Sequence, residues 1–101
     1  MLNAARIAEL KEEVGEDDFA EVITIFCEEM EEVLSELPST PANIMAEKLH
    51  FLKGSALNIG MDMVGELCRT AEEQLKATPD AKADIAAIEA AYQASKAELA
   101  G

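Results

Sequence analysis

The chain has 101 residues, half of them apolar but only 4% aromatic, and its 21 acidic and 8 basic side chains give a net charge of −13. This length allows one domain with one modest core, so we expect a single domain over residues 1–101. The excess of negative charge argues against nucleic acid and membrane as partners, because phosphate groups would be repelled.

The composition favours helices, because alanine, leucine, glutamate and lysine are good helix formers and aromatic residues are few. We therefore predict an all-α fold of five helices. The first covers residues 3–14 and stops at Gly15. The second begins near Asp17, whose carboxylate suits a helix N-terminus, and continues to about residue 37, where Pro38 ends it. Its apolar positions recur at helical spacing and are Phe19, Val22, Ile23, Phe26, Met30, Val33, Leu34 and Leu37.

The third and fourth predicted helices have well-defined starts and apolar stripes. The third has Thr40 as its N-cap and Pro41 at its first helical position, and Gly60 ends it. The fourth covers residues 62–77. The predicted core positions of the two helices are Met45, Leu49, Leu52, Ala56, Val64, Leu67, Cys68, Ala71 and Leu75.

The fifth predicted helix completes a bundle. Pro79 is expected to break the chain, after which Asp80 caps a helix whose apolar positions extend to Leu99. Short connections force consecutive helices to lie antiparallel. We therefore predict an up-down-up-down four-helix bundle, with the short first helix packed over one end.

The two cysteines, Cys27 and Cys68, lie in apolar-periodic stretches and lack the spacing of a metal or redox motif. They are predicted to be buried free thiols in a reducing compartment, with pairing across helices as the alternative. The sequence contains no signal peptide and no apolar run near 18 residues, which predicts a cytoplasmic protein.

The third helix carries the only histidine of the chain, His50. At about 100° per residue, its ring lies about 130° from the centre of the predicted core stripe and points to solvent. His50, Lys53, Gly54 and Leu57 have the spacing of one surface ridge, provided that the helix continues through the glycine. Glycine inside a helix costs about 1 kcal/mol relative to alanine. Either the helix ends there in a turn, or the missing side chain lets another protein's backbone approach the ring.

An outward imidazole beside a lysine suits the transfer of a phosphoryl group. A neutral imidazole nitrogen is a nucleophile near neutral pH. The Lys53 ammonium, one turn away, can neutralise charge on phosphoryl oxygens without occupying that nitrogen. The sequence therefore indicates His50 as a phosphoryl carrier, supported by Lys53 and Gly54.

The run His50-x-x-Lys53-Gly54-Ser55-Ala56, with Gly60 ending the helix, resembles the signature of the histidine-containing phosphotransfer (HPt) domain family. The histidine-bearing domain of chemotaxis kinases has a similar run. Outside this segment the resemblance includes Leu10, Gly15, Phe26, Leu67 and Cys68, so it covers essentially the whole chain.

The resemblance implies a phosphorelay intermediate of two-component signalling, which is a phosphocarrier without autokinase activity. His50 would accept a phosphoryl group from the aspartate of one receiver domain and pass it to another, so the expected partners are response-regulator receivers or a hybrid sensor histidine kinase. We expect a monomer without a cofactor, with magnesium held by the receiver. Family members also hydrogen-bond the ring from the following helix, where Gln74 is the first candidate and Lys76 or Glu72 are alternatives.

Receiver domains of this system generally dock on an apolar surface around the histidine. Leu57 is the first candidate for that contact in this chain. Phe51 and Ile25 are further candidates because they lie away from the core stripes, although packing along a helix flank is the alternative for both.

Two other functions fit parts of the pattern. Glu47-x-x-His50 has the spacing of one ligand pair of a di-iron bundle, but such a site needs a second pair and inward-pointing ligands. The remaining alternative is a helical interaction or adaptor module, in which His50 is an inert surface residue.

Overall fold

A computed structural model of the chain describes residues 2–78 and 83–100, and all of its regular structure is helical. The α-helices are Ala4–Val14 (α1), Glu16–Glu36 (α2), Ala42–Asn58 (α3), Asp62–Ala77 (α4) and Ile85–Ala100 (α5). No strand occurs in the described residues, so the predicted all-α class is confirmed. None of these helices combines the length and the apolar character needed to span a membrane.

The first connection follows the prediction closely. Asn3 caps α1, since its side-chain oxygen accepts a hydrogen bond from the Arg6 N–H at 3.0 Å. Gly15 ends this helix by donating its N–H to the Lys11 carbonyl at 2.8 Å. The first turn of α2 then follows directly, with acidic residues facing the positive end of the helix dipole.

The connection from α2 to α3 differs from the prediction. The α-helical part of α2 ends at Glu36, and the chain tightens into a 3₁₀ turn, Leu37–Ser39. The Thr40 hydroxyl donates to the Glu36 carbonyl at 2.7 Å and does not cap α3, so the prediction of a Thr40 N-cap is wrong. The hydroxyl is bonded to a free carbonyl at the end of α2, and α3 begins directly after Pro41.

The core is built mainly from α2, α3 and α4. Both cysteines are buried, and neither forms a disulfide, as predicted from their spacing. The fully buried apolar residues confirm most of the α3 and α4 stripes, whereas Phe19, Val22 and Ile23 at the start of α2 are only partly buried. The buried apolar set is Leu10, Cys27, Met30, Leu34, Leu37, Leu49, Leu52, Ala56, Ile59, Met61, Val64, Cys68, Ala71, Leu75, Ile88, Ala91 and Tyr92.

A tight turn at Gly60 joins α3 to α4 and receives the start of α1. Gly60 has φ of 78°, a conformation that strongly favours glycine. A Cβ at this position would also lie 2.9 Å from Ile7 Cγ1 and 3.1 Å from the Asn3 carbonyl oxygen. The Asn3 N–H donates to the Gly60 carbonyl at 2.8 Å. These contacts fix the turn from which α3 and α4 run side by side.

Helix α5 contacts α4 and reaches α2 through Tyr92. The Tyr92 hydroxyl donates to the Glu31 carboxylate at 2.6 Å, which satisfies a polar group in a buried position. At the start of α5, the Asp84 side chain accepts the Ala87 N–H at 3.0 Å. The predicted break at Pro79 and cap at Asp80 lie outside the described residues.

Candidate functional site

The imidazole of His50 is presented to solvent from the middle of α3. Its side chain is 67% exposed, whereas Leu49 and Leu52 on the same helix are completely buried. The helix continues past Gly54 to Asn58. The predicted outward ring and unbroken helix are therefore confirmed, and a turn at the glycine is excluded.

A buried carboxylate on α4 lies beside the inner nitrogen of this ring. Glu72 is only 8% exposed, and its Oε2 and Oε1 lie 3.2 Å and 3.4 Å from His50 Nδ1. The structure thus places Glu72, and not the predicted Gln74, against the ring. Gln74 is exposed because two residues along a helix correspond to about 200° of rotation, which carries it away from α3.

Two lysines from different helices share the carboxylate of Glu72. Lys53 on α3 donates to Oε1 at 3.5 Å, and Lys76 on α4 lies 3.4 Å from Oε2. Burial opposes ionisation of Glu72, but the positive charges of Lys53 and Lys76 outweigh it and lower the pKa of this carboxyl below its ordinary value. Glu72 is therefore a carboxylate at neutral pH.

The ionised Glu72 determines which ring nitrogen of His50 is available for chemistry. A carboxylate only accepts hydrogen bonds, so the neutral ring that bonds to it carries its hydrogen on Nδ1. The lone pair then resides on Nε2, the ring nitrogen opposite Nδ1. This arrangement leaves a nucleophilic nitrogen on an exposed side chain, and the contact of Nδ1 with Glu72 fixes the orientation of the ring.

The surface beside His50 is bare at Gly54. Apart from the backbone of α3 itself and the adjoining residues, no heavy atom of the described chain lies within 4 Å of the position that a Cβ would occupy. The helix therefore tolerates a side chain at this position, and nothing in the fold itself requires glycine. This observation agrees with the prediction that the glycine leaves space for another molecule.

Several large apolar side chains on the surface of α2, α3 and α4 are exposed. Leu57 and Phe51 lie on α3 with the histidine, and Ile25 lies on α2, so all three predicted candidates are on the surface. Leu57 also packs against α4, where its Cδ2 would be 2.8 Å from a Cβ at Gly65. Sequence reasoning missed two further exposed residues, Ile44 and Met63, although both lie outside the predicted core stripes.

A shallow groove of about 270 Å³ opens between α3 and α4 at the ring. It is lined by Ala46, Glu47, His50, Glu72 and Lys76. Within residues 2–78 and 83–100, no three His, Cys, Asp or Glu side chains are arranged to hold a metal ion. The groove places the exposed ring of His50 beside the side chain of Lys76.

Cys68 lies one turn before Glu72 on α4 and is fully buried. Burial, together with the negative charge of Glu72, raises the pKa of this thiol to about 12. Cys68 is therefore a protonated core residue and not a second nucleophile of the site.

The family model described as the Hpt domain matches residues 21–98, a range that includes His50, Lys53, Gly54 and Glu72. No curated protein matches the chain, and no solved structure matches it.

Proposed function

This chain belongs to the Hpt domain family, and from that premise we propose that His50 carries the phosphoryl group of a two-component phosphorelay. The family has a histidine phosphotransfer role, and its members are phosphocarriers. The observation that supports His50 most strongly is its exposed ring, held at Nδ1 by the Glu72 carboxylate at 3.2 Å.

In the proposed reaction, the phosphoryl group arrives on an aspartate of a receiver domain. His50 Nε2 attacks the phosphorus, and the Nε2–P bond forms while the bond between phosphorus and the aspartate oxygen breaks. The aspartate leaves as a carboxylate, and the proton on Nδ1 stays in place. Since the ring gains positive charge in this step, the Glu72 carboxylate beside Nδ1 stabilises it. The reverse step delivers the phosphoryl group to a second receiver.

Lys53 and Gly54 have distinct roles in this proposal. Phosphoryl transfer spreads negative charge over the phosphoryl oxygens. The Lys53 ammonium can leave the Glu72 carboxylate and bind those oxygens. The bare surface at Gly54 lets the backbone of the receiver approach the ring. We assign the magnesium ion of the reaction to the receiver and propose that this chain contributes no cofactor.

We propose that the receiver docks on the exposed apolar side chains around the histidine. Leu57 is the first candidate, because it lies two turns along α3 from His50 on the same ridge. Phe51 on α3 and Ile25 on α2 would extend this surface. Partner proteins commonly use exposed apolar patches of this kind.

The finer architecture is part of the same proposal. Short connections, together with contacts of α3 with α4 and of α4 with α5, support an up-down-up-down arrangement of α2–α5. The contact of Asn3 with Gly60 supports packing of α1 over the end of the bundle that holds the α3–α4 turn. We further propose that the chain is one monomeric cytoplasmic domain without autokinase activity.

The proposal is tested by incubating the chain with a receiver domain phosphorylated on its aspartate. We expect label on the chain that is stable to base and labile to acid, as a phosphoramidate is, and expect none on His50→Gln. Label that persists in His50→Gln would contradict the assignment. Binding of the receiver without any label on the wild-type chain would instead support the adaptor function.

A further inference from the structure

Lys76 is linked to the His50 ring through the carboxylate of Glu72. Its ammonium is 3.4 Å from Glu72 Oε2, and this same oxygen is 3.2 Å from His50 Nδ1. The Lys76 side chain is 69% exposed and lines the groove beside the ring, whereas Lys53 is only 25% exposed. The Glu72 carboxylate thus contacts two ammonium groups, that of the partly buried Lys53 through Oε1 and that of the exposed Lys76 through Oε2.

The charges of the site suggest a use for the second lysine. In the unmodified protein, the ammonium groups of Lys53 and Lys76 share the single negative charge of the Glu72 carboxylate. A phosphoryl group adds a charge of about −1.5 to −2. Glu47, another acidic residue, also lines the groove. With Lys53 as the only cation, a phosphorylated His50 would leave the groove strongly negative in a chain that already carries a charge of −13.

We infer that Lys76 is a second phosphoryl-binding residue, which leaves Glu72 Oε2 and contacts the phosphoryl oxygens on His50 Nε2. This inference rests on the proposed function. A lysine has a flexible four-carbon stem with three rotatable donors, and an exposed one can change partners at little cost. Glu72 Oε2 keeps its hydrogen bond to Nδ1 when Lys76 leaves. The phosphoryl group is then held from α3 by Lys53 and from α4 by Lys76.

The test uses the whole chain and a small phosphoryl donor, so that no partner protein is needed. Phosphoramidate transfers its phosphoryl group to the histidine: the new Nε2–P bond forms, the P–N bond of the donor breaks, and ammonia leaves. Phosphorus NMR then follows the decay of the phosphohistidine after the donor is removed. We expect Lys76→Gln to shorten this lifetime about two- to fivefold, the range for one exposed charge pair, and Lys76→Arg to restore most of it.

Lys96→Gln is the matched control. Lys96 also pairs with a glutamate, Glu31, but it lies on α5 against α2, away from the groove. Its replacement removes the same charge and should leave the phosphohistidine lifetime unchanged. Added salt should shorten the lifetime of the wild-type chain more than that of Lys76→Gln, because it screens the contact that the variant lacks.

An unchanged lifetime in Lys76→Gln, or an equal loss in Lys96→Gln, would overturn the assignment of Lys76 while His50 remained the labelled residue. A wild-type chain that takes no phosphoryl group from phosphoramidate or from receivers would instead contradict the proposed function and the inference together.

Discussion

Replacing Glu72 with glutamine removes one negative charge from beneath His50 while keeping an oxygen that can accept the Nδ1–H hydrogen bond. The substitution therefore separates the electrostatic effect of the carboxylate from its effect on ring orientation. The ring gains positive charge as Nε2 forms its bond to phosphorus, so the loss of the carboxylate should slow phosphorylation.

The contact distances at Glu72 set the size of this effect. Hydrogen bonds to charged groups are worth about 1.5–3 kcal/mol, and the strong ones are about 2.7–2.9 Å long. The contact between Glu72 and Nδ1 is longer, at 3.2 Å, and the carboxylate is shared with two lysines. We therefore take the lower end, about 1.5 kcal/mol, which corresponds to a roughly tenfold slower reaction.

Phosphorylation by excess phosphoramidate, followed by phosphorus NMR, measures this rate directly. Glu72→Ala should be slower than Glu72→Gln, because it also removes the acceptor that orients the ring. Glu73→Gln is the matched control, since Glu73 is exposed and pairs with Arg69 rather than with the His50 ring. If Glu72→Gln reacts as fast as the wild-type chain, the carboxylate does not stabilise the charged ring, and the proposed electrostatic role of Glu72 is wrong.

The same variant has a pH-dependent effect on stability. Because Lys53 and Lys76 lower the pKa of Glu72 in the folded chain, the stabilisation is present above the pKa of an unfolded glutamate. It is lost as the pH falls through the lowered value. Thermal melts should therefore show a larger loss of stability in acid for the wild-type chain than for Glu72→Gln. Parallel losses in the two chains would contradict this assignment.

The other predictions concern the neighbours of His50 on α3. Gly54→Gln should block transfer from a receiver while leaving phosphorylation by phosphoramidate nearly unchanged, because its side chain adds bulk without charge. Gly54→Ala should raise the free energy of unfolding by about 1 kcal/mol, since nothing in the fold fills that space. Normal transfer from a receiver to Gly54→Gln would contradict the close-approach role of the glycine. Lys53→Ala should shorten the phosphohistidine lifetime roughly fivefold, the upper end for a partly exposed charge pair. An unchanged lifetime would leave this lysine without a role in holding the phosphoryl group.

The sequence predicted those parts of the fold that depend on local patterns. Helix α4 covers Asp62–Ala77 as predicted, because a glycine turn precedes it and its apolar stripe is regular. The outward direction of His50 follows from the α3 stripe alone. The prediction for Thr40 is wrong because a threonine between two helices can bond either to a free carbonyl at the end of the first helix or to a free N–H at the start of the second. Sequence spacing does not distinguish these two bonds.

The main miss in the candidate site was the preference for Gln74 over Glu72. Glu72 lies on the stripe formed by Cys68, Ala71 and Leu75, so periodicity alone would have pointed it inward. An unpaired buried carboxylate is costly, so an inward glutamate needs compensating positive charge. Lys76, four residues further along α4, supplies part of that charge, and Lys53 supplies the rest from another helix. Local spacing does not reveal that long-range pairing, whereas the inward position itself was a usable signal.

The most direct test of the proposed mechanism is which ring nitrogen of His50 carries the phosphoryl group. Nitrogen and phosphorus NMR of the chain phosphorylated by a receiver can show which imidazole nitrogen is bonded to phosphorus. The proposed mechanism predicts a phosphoryl group on Nε2 of His50, with Nδ1 remaining on the side of Glu72. A phosphoryl group on Nδ1, or on any other residue, would contradict it.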